Sequence, residues 1–190
     1  MSTPVYEPDD DSYLIRDILE KELFEMEARS APLVRMKLLD MGTGNGFLGF
    51  AAMKKGLGVT FADINPEAIA EVNKILESED LTADVILTDL FERLPCGPYD
   101  IMAFNTPYLP ADPELFDPAL YGGQKGNETA IRFILQAKSF LSKNGFILLL
   151  TSDLANPKNI MKVAEDAGFV CEEVGSQKLF FEKLLVYKLQ

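Results

Sequence analysis

A chain of 190 residues with 47% hydrophobic and 25% charged content has the length of one domain and the composition of an ordinary soluble globular protein. It contains no histidine, which excludes Ser-His and Cys-His nucleophile pairs, an imidazole general base and the commonest transition-metal ligand. Its formal net charge of -12, with nine acids against Arg16, Lys21 and Arg29 in the first thirty residues, repels phosphate backbones and suits a basic partner or a solvated face.

The N-terminus, MSTPVYEPDDD, lacks the basic-then-apolar order of a signal peptide, and no apolar run approaches the roughly 18 residues of a membrane span. A cytoplasmic protein is expected. In chain order, SYLIRDILEKELFEM predicts a helix with Ser12 as N-cap, and MKLLDM predicts a buried strand. GFLGFAAMKKG reads as helix ended by Gly56, VTFAD as strand, and NPEAIAEVNKILESED as helix capped by Asn65 with Pro66 in its first turn. ADVILTD and DIMAFN are strands separated by the loop FERLPCGPYD. After a long loop, residues 106–125, NETAIRFILQAKSFLSKNG predicts a helix closed by Gly145. FILLLTS is strand, NPKNIMKVAEDAG helix, and FVCEEVGSQKLFFEKLLVYKL a hairpin turning at Gly175–Ser176. Strands alternating with helices predict an α/β fold: one domain over 1–190, a seven-stranded, mostly parallel sheet with helices on both faces and a C-terminal antiparallel hairpin. Cys96 and Cys171 stand too far apart in sequence to suggest a disulfide framework, no zinc site is expected, and both read as small buried hydrophobes.

The first strand runs into LLDMGTGNGFLG, where Gly42, Gly44 and Gly46 make a tight turn that opens a helix and lets a ligand approach the backbone. Asp63 ends the second strand, where a carboxylate accepts from ribose hydroxyls, and Asp89 ends the third, where it accepts from an adenine amino group. Asp40, beside the glycines, repels a pyrophosphate and attracts an ammonium. Adenosine joined to an amino acid describes S-adenosylmethionine.

DMGTGNG, ADINPEA, TDL and NTPY, in this order, resemble the HemK-type protein-glutamine methyltransferases, and VYEPDDDSYLI and YGGQKGNETA resemble their short archaeal and eukaryotic branch. The resemblance covers essentially the whole chain. It implies a Rossmann-like class I S-adenosylmethionine-dependent methyltransferase without the helical N-terminal substrate domain of bacterial relatives, with the acidic segment and helix of residues 1–30 packed over the cofactor site. It implies cofactor contacts at Ser12, Asp40, Gly42, Gly44, Gly46, Asp63, Asp89, Leu90 and Asn105. The implied reaction is N5-methylation of the glutamine in a Gly-Gly-Gln motif of a peptide chain release factor, with no metal.

In this reading the side-chain oxygen of Asn105 and the backbone carbonyl of Thr106 accept from the two N–H groups of a glutamine amide, whose lone pair is otherwise delocalised. Tyr108 lies against the flat amide, and Pro107 fixes the backbone between them. The family pattern is Asn-Pro-Pro-Tyr; Thr106 replaces its first proline, which leaves φ there unlocked, so that Thr106→Pro is expected to be tolerated. Gly122–Gly123–Gln124, which repeats the substrate motif, reads as a loop element. The alternatives are N6-adenine methylation of nucleic acid, which the negative charge disfavours; methylation of another protein residue such as lysine; and a non-catalytic scaffold, for which Asn105 and Tyr108 would not be required. A small zinc-binding activator subunit is implied as partner. Its expected docking edge is the third strand, outermost in a 3-2-1-4-5 order, through Val85, Ile86, Leu87 and Phe91.

Overall fold

Strands that are apolar on both faces need a helical layer on each side, and the computed structural model, which describes residues 5–29, 33–95, 97–112 and 119–190, has both. The elements are α1 (Asp10–Ala28), β1 (Lys37–Met41), α2 (Phe47–Met53), β2 (Gly58–Asp63), α3 (Pro66–Ser78) and β3 (Asp84–Leu87). They continue as β4 (Tyr99–Asn105), α4 (Glu128–Ala137), β5 (Leu141–Ser152), α5 (Pro157–Asp166), β6 (Cys171–Lys178) and β7 (Lys183–Leu189). One seven-stranded sheet runs β3-β2-β1-β4-β5-β7-β6. The first five strands are parallel, and β7 pairs antiparallel to both β5 and β6.

Alternation along the central strands divides the core in two. Leu39, Met102, Ile147 and Leu149 face α4 and α5, meeting Phe133, Ile134, Ile160 and Ala164. Leu38, Ile101, Leu148 and Leu150 face α1, α2 and α3, meeting Ile15, Leu19, Leu48 and Val72. This order brings the ends of β1, β2, β3 and β4 together at one edge of the sheet, where α/β folds bind ligands.

Four local expectations are corrected. The N-cap of α1 is Asp9, whose carboxylate accepts from the Asp10 N–H; Ser12 sits inside the first turn, buried. The helix after residue 127 ends at Ala137 rather than at Gly145, and Lys143–Gly145 fall inside β5. Phe140 leaves the helix to stack on Phe91 at 4.7 Å, so tertiary packing overrides the helical spacing. The hairpin turns at 179–182. Gly175 lies within β6 at a bulge, where a Cβ would come 2.7 Å from Ile18 Cδ1 of α1. Phe91, expected on the partner edge, is 4% exposed and packs against Phe133 and Phe140.

Cys96 and residues 113–118 of the long loop lie outside the described residues. Cys171 is half-buried against the core, and burial raises its thiol pKa. Among the described residues no helix is long and apolar enough to cross a membrane, and no group of three His, Cys, Asp or Glu could hold a metal ion.

Candidate active site

Between β1 and α2 the chain turns through Gly42, Gly44 and Gly46 at φ +62°, +55° and +84°, which a side chain would strain. Asp40 Oδ2 accepts from Thr43 Oγ1 at 2.6 Å and from the Gly49 N–H at 2.9 Å, tying the strand end, the loop and the first turn of α2 together. Burial pushes the Asp40 carboxyl up to about 7, against the pull of these two hydrogen bonds. An unfolded aspartate titrates near 3.9, so the ligand-free fold holds an extra proton between the two values and loses stability as pH rises from about 4 to about 7. Thermal unfolding from about pH 5 to about pH 8 should therefore show a steeper fall for wild type than for Asp40→Asn. Equal slopes would show that Asp40 does not carry this titration.

The second and third loops close on the first. Asp63 Oδ2 accepts from the Gly44 N–H at 2.9 Å and Oδ1 from the Asn65 N–H at 2.8 Å, and burial raises its pKa. Thr88 N donates to Asp63 O at 2.8 Å, which brings in the end of β3. Asp89 Oδ2 accepts from Arg132 of α4 at 2.8 Å, so this carboxylate is anchored. Leu90 takes φ +48°, uncommon for a residue with a Cβ, and is buried.

At the end of β4, α1 meets the Asn-Thr-Pro-Tyr turn. Asp11 Oδ1 accepts from the Ser12 N–H at 2.5 Å and from Ser12 Oγ at 3.1 Å, and Ser12 Oγ accepts from Asn105 Nδ2 at 3.5 Å. Asp11 Oδ2 accepts from Tyr6 Oη at 3.0 Å and Tyr108 Oη at 3.5 Å. Burial first, then the Asp11 charge, raises both phenol pKa values, so Tyr6 and Tyr108 stay neutral and donate rather than act as bases. Asn105 Oδ1 is buried with no hydrogen-bond partner among the described residues. A buried acceptor left open costs about 1–3 kcal/mol and is the kind of atom that a ligand satisfies.

Thr106 is 2% exposed, and its Oγ1 and N–H both donate to Leu150 O, at 2.8 and 3.2 Å. The hydroxyl thus pins to β5 the backbone that a proline ring would have stiffened. Proline would delete both donors, which corrects the expectation that Thr106→Pro is tolerated. The variant should lose about 1–3 kcal/mol of stability, measured by denaturant unfolding, whereas Thr106→Ser should stay near wild type.

All the predicted site residues except Gly46 line one cavity of about 470 Å³, within the range of small-molecule sites. Gly46 instead starts α2 behind it. Five carboxylates, Asp11, Asp40, Asp63, Asp89 and Glu182, line the cavity, against Arg132 as the one cationic side chain among the described lining residues. This lining suits a cationic ligand with hydroxyl and amino donors, and S-adenosylmethionine has that chemistry. Sequence reading passed over Tyr6, Asp11, Thr43, Arg132 and Glu182. The first two stand within VYEPDDDSYLI and could have been weighed there; no local pattern marks Arg132 or Glu182.

The family model described as "Methyltransferase small domain" matches residues 21–175. The chain is 32% identical to the putative protein N5-glutamine methyltransferase of Methanocaldococcus jannaschii, over 96% of this chain and 89% of that protein. It is 31% identical to Methyltransferase HEMK2 of Mus musculus, over 92% and 86%. Among solved structures, the Mtq2–Trm112 complex of E. cuniculi, responsible for methylation of the termination factor eRF1, contains a chain that superposes with a TM-score of 0.76 at 25% identity, covering 98% of each chain. With this fold, this carboxylate-lined cavity and these relatives, the chain belongs to the HemK-type protein N5-glutamine methyltransferases, S-adenosylmethionine-dependent enzymes of the Rossmann-like class I fold.

Proposed function

We propose that the chain methylates N5 of the glutamine in the Gly-Gly-Gln motif of a peptide chain release factor. The observation that carries this reading is the buried, unpartnered Oδ1 of Asn105 beside Tyr108 at the head of the cavity. Asp11 can only accept, so the Ser12 hydroxyl donates to it and offers its lone pair to Asn105 Nδ2. That polarity leaves Oδ1 as the end of Asn105 available to an acceptor amide.

When bound, S-adenosylmethionine supplies a methyl group made electrophilic by a cationic sulfonium. Asp63 would hold its ribose hydroxyls, Asp89 and Leu90 its adenine, and Asp40, Ser12 and the Gly42–Gly46 loop its methionine end, with α1 of the acidic 1–30 segment packed over it. Asn105 Oδ1 and the Thr106 carbonyl accept from the two N–H groups of the glutamine amide, which frees the nitrogen lone pair and holds the nitrogen in place. Tyr108, a neutral phenol, presents a flat surface to that amide. No group in this arrangement has to remove a proton before transfer, which agrees with a chain that has no histidine.

The test is methyl transfer by the purified chain to a release factor, to DNA and to lysine peptides, with the product located by mass spectrometry. Methyl on glutamine N5 is expected; methyl only on adenine or lysine would overturn the reading. The cytoplasm, where release factors work, is the proposed location. A small activator subunit, zinc-binding by the family resemblance, is the proposed partner, in keeping with the two-protein complex that gives the structural match. Its proposed seat is the edge strand β3, with Val85 and Ile86 half-buried and Leu87 40% exposed. Val85→Glu should then abolish co-purification, and unchanged co-purification would place the partner elsewhere.

A further inference from the structure

We infer that the tip of the β6–β7 hairpin, Leu179–Glu182, docks the acceptor protein: Phe180 and Phe181 pack on its apolar surface, and Glu182 accepts a hydrogen bond from the segment that carries the glutamine. The inference rests on the release-factor reading above. Phe180 and Phe181 are 92% and 87% exposed, and their rings meet edge-to-face at 4.7 Å. An aromatic pair held this way gives nothing to the core, and aromatic residues are enriched in interfaces and their hot spots.

The residue after this pair, Glu182, points to what covers it. Glu182 lines the cavity, and its Oε2 is buried with no hydrogen-bond partner among the described residues. The phenols that could have served it, Tyr6 and Tyr108, both donate to Asp11. A buried carboxylate oxygen without a donor is costly in the free protein and is satisfied when a donor arrives from outside. A glutamine side chain entering the cavity brings its own backbone N–H groups across this rim, and the body of its protein over the adjoining rings.

The tip is held in position for this role. Leu179 N donates to Glu182 O at 2.8 Å, and Lys183 N donates to Asp153 Oδ1 at 2.9 Å. Asp153 begins the short 3-10 turn that follows β5, and Leu154 of that turn is 46% exposed. The apolar rim therefore adjoins the strand next to the Asn105 strand.

The experiment measures binding and turnover together. Affinity for release factor is read by titration without S-adenosylmethionine, so that no product forms. Kinetics are read with whole release factor and with a short Gly-Gly-Gln peptide in the active chain. The Phe180→Ser, Phe181→Ser double variant should bind release factor about 10-fold more weakly and raise its KM by a similar factor at unchanged kcat, with little effect on the peptide. Glu182→Gln should raise KM for both acceptors. Wild-type affinity and KM in the double variant would overturn the inference, and so would an equal loss on the peptide. A wild-type dimer that the double variant splits in sedimentation would overturn it too, by giving the rings to a second copy. Failure of the wild type to methylate release factor would instead defeat the functional reading on which the inference stands.

Discussion

Asn105→Ala should lower the rate of methyl transfer by about 10²–10³-fold, the usual cost of removing one oriented hydrogen-bonding group that acts in the transition state. The side chain stands at the last position of β4, after four strand residues that are buried in the sheet, and its Oδ1 has no hydrogen-bond partner among the described residues. Its removal breaks one long hydrogen bond, Nδ2 to Ser12 Oγ at 3.5 Å, so the thermal midpoint should stay close to wild type. The loss should appear in kcat, because positive charge builds on the acceptor nitrogen as its bond to the methyl forms, which makes its N–H groups better donors, and Oδ1 stabilises that change more than it stabilises the ground state. Single-turnover kinetics with saturating cofactor and release factor isolate this step. A variant that turns over at the wild-type rate would sink the amide-orienting role. Ser12→Ala is the companion variant: it should cost less than Asn105→Ala, because Asn105 keeps its oxygen and loses only the group that orients it.

The parts of this site legible in the sequence are those that local geometry dictates. A glycine-rich turn after an apolar strand, an acid at each following strand end, and Asn-Thr-Pro-Tyr after the fourth strand all sit where a doubly wound sheet must present them, and the observed order of the first five strands agrees. The parts that escaped depend on contacts between distant segments. Spacing alone continues the helix from Glu128 past Ala137, but Phe140 is drawn out of it by Phe91, forty-nine positions earlier in the chain. Gly175–Ser176 has the chemistry of a turn, yet the glycine is there because Ile18 of α1 packs on that strand. Asp89 looked like a free acceptor until Arg132, on a helix forty-three residues away, proved to hold it. Glu182 carried no signal, since a glutamate after two phenylalanines near a chain end reads as ordinary surface.

Gly122→Ala should lower kcat by about 10²-fold, the scale expected when reacting groups are displaced by about 1 Å. A Cβ on Gly122 would overlap the carbonyl oxygens of Pro107 and Gly126, and one on Gly126 would overlap the carbonyl oxygen of Tyr108. These clashes are with backbone, which cannot rotate away, so the added methyl must push the loop off the Pro107–Tyr108 segment or push that segment into the cavity. The same loop is bonded to the turn: Gly122 N donates to Leu109 O at 3.0 Å, Leu109 N to Leu120 O at 2.9 Å and Ala111 N to Gly123 O at 2.8 Å. From the opposite side Thr106 is pinned to Leu150, so the Asn-Thr-Pro-Tyr turn is clamped between β5 and the Gly-Gly loop. Affinity for S-adenosylmethionine should change little, because the loops ending in Gly42, Asp63 and Asp89 follow other strands. Gln124, exposed beside the two glycines, has no part in the clamp, and Gln124→Ala should keep wild-type kcat. The informative result is therefore a pair: loss of kcat at Gly122 with cofactor titration intact, and no loss at Gln124. A Gly122→Ala chain with wild-type kcat would show that the loop does not position the acceptor turn. Loss at Gln124, with a methyl found on its side chain in the wild type, would show that the internal Gly-Gly-Gln is itself an acceptor.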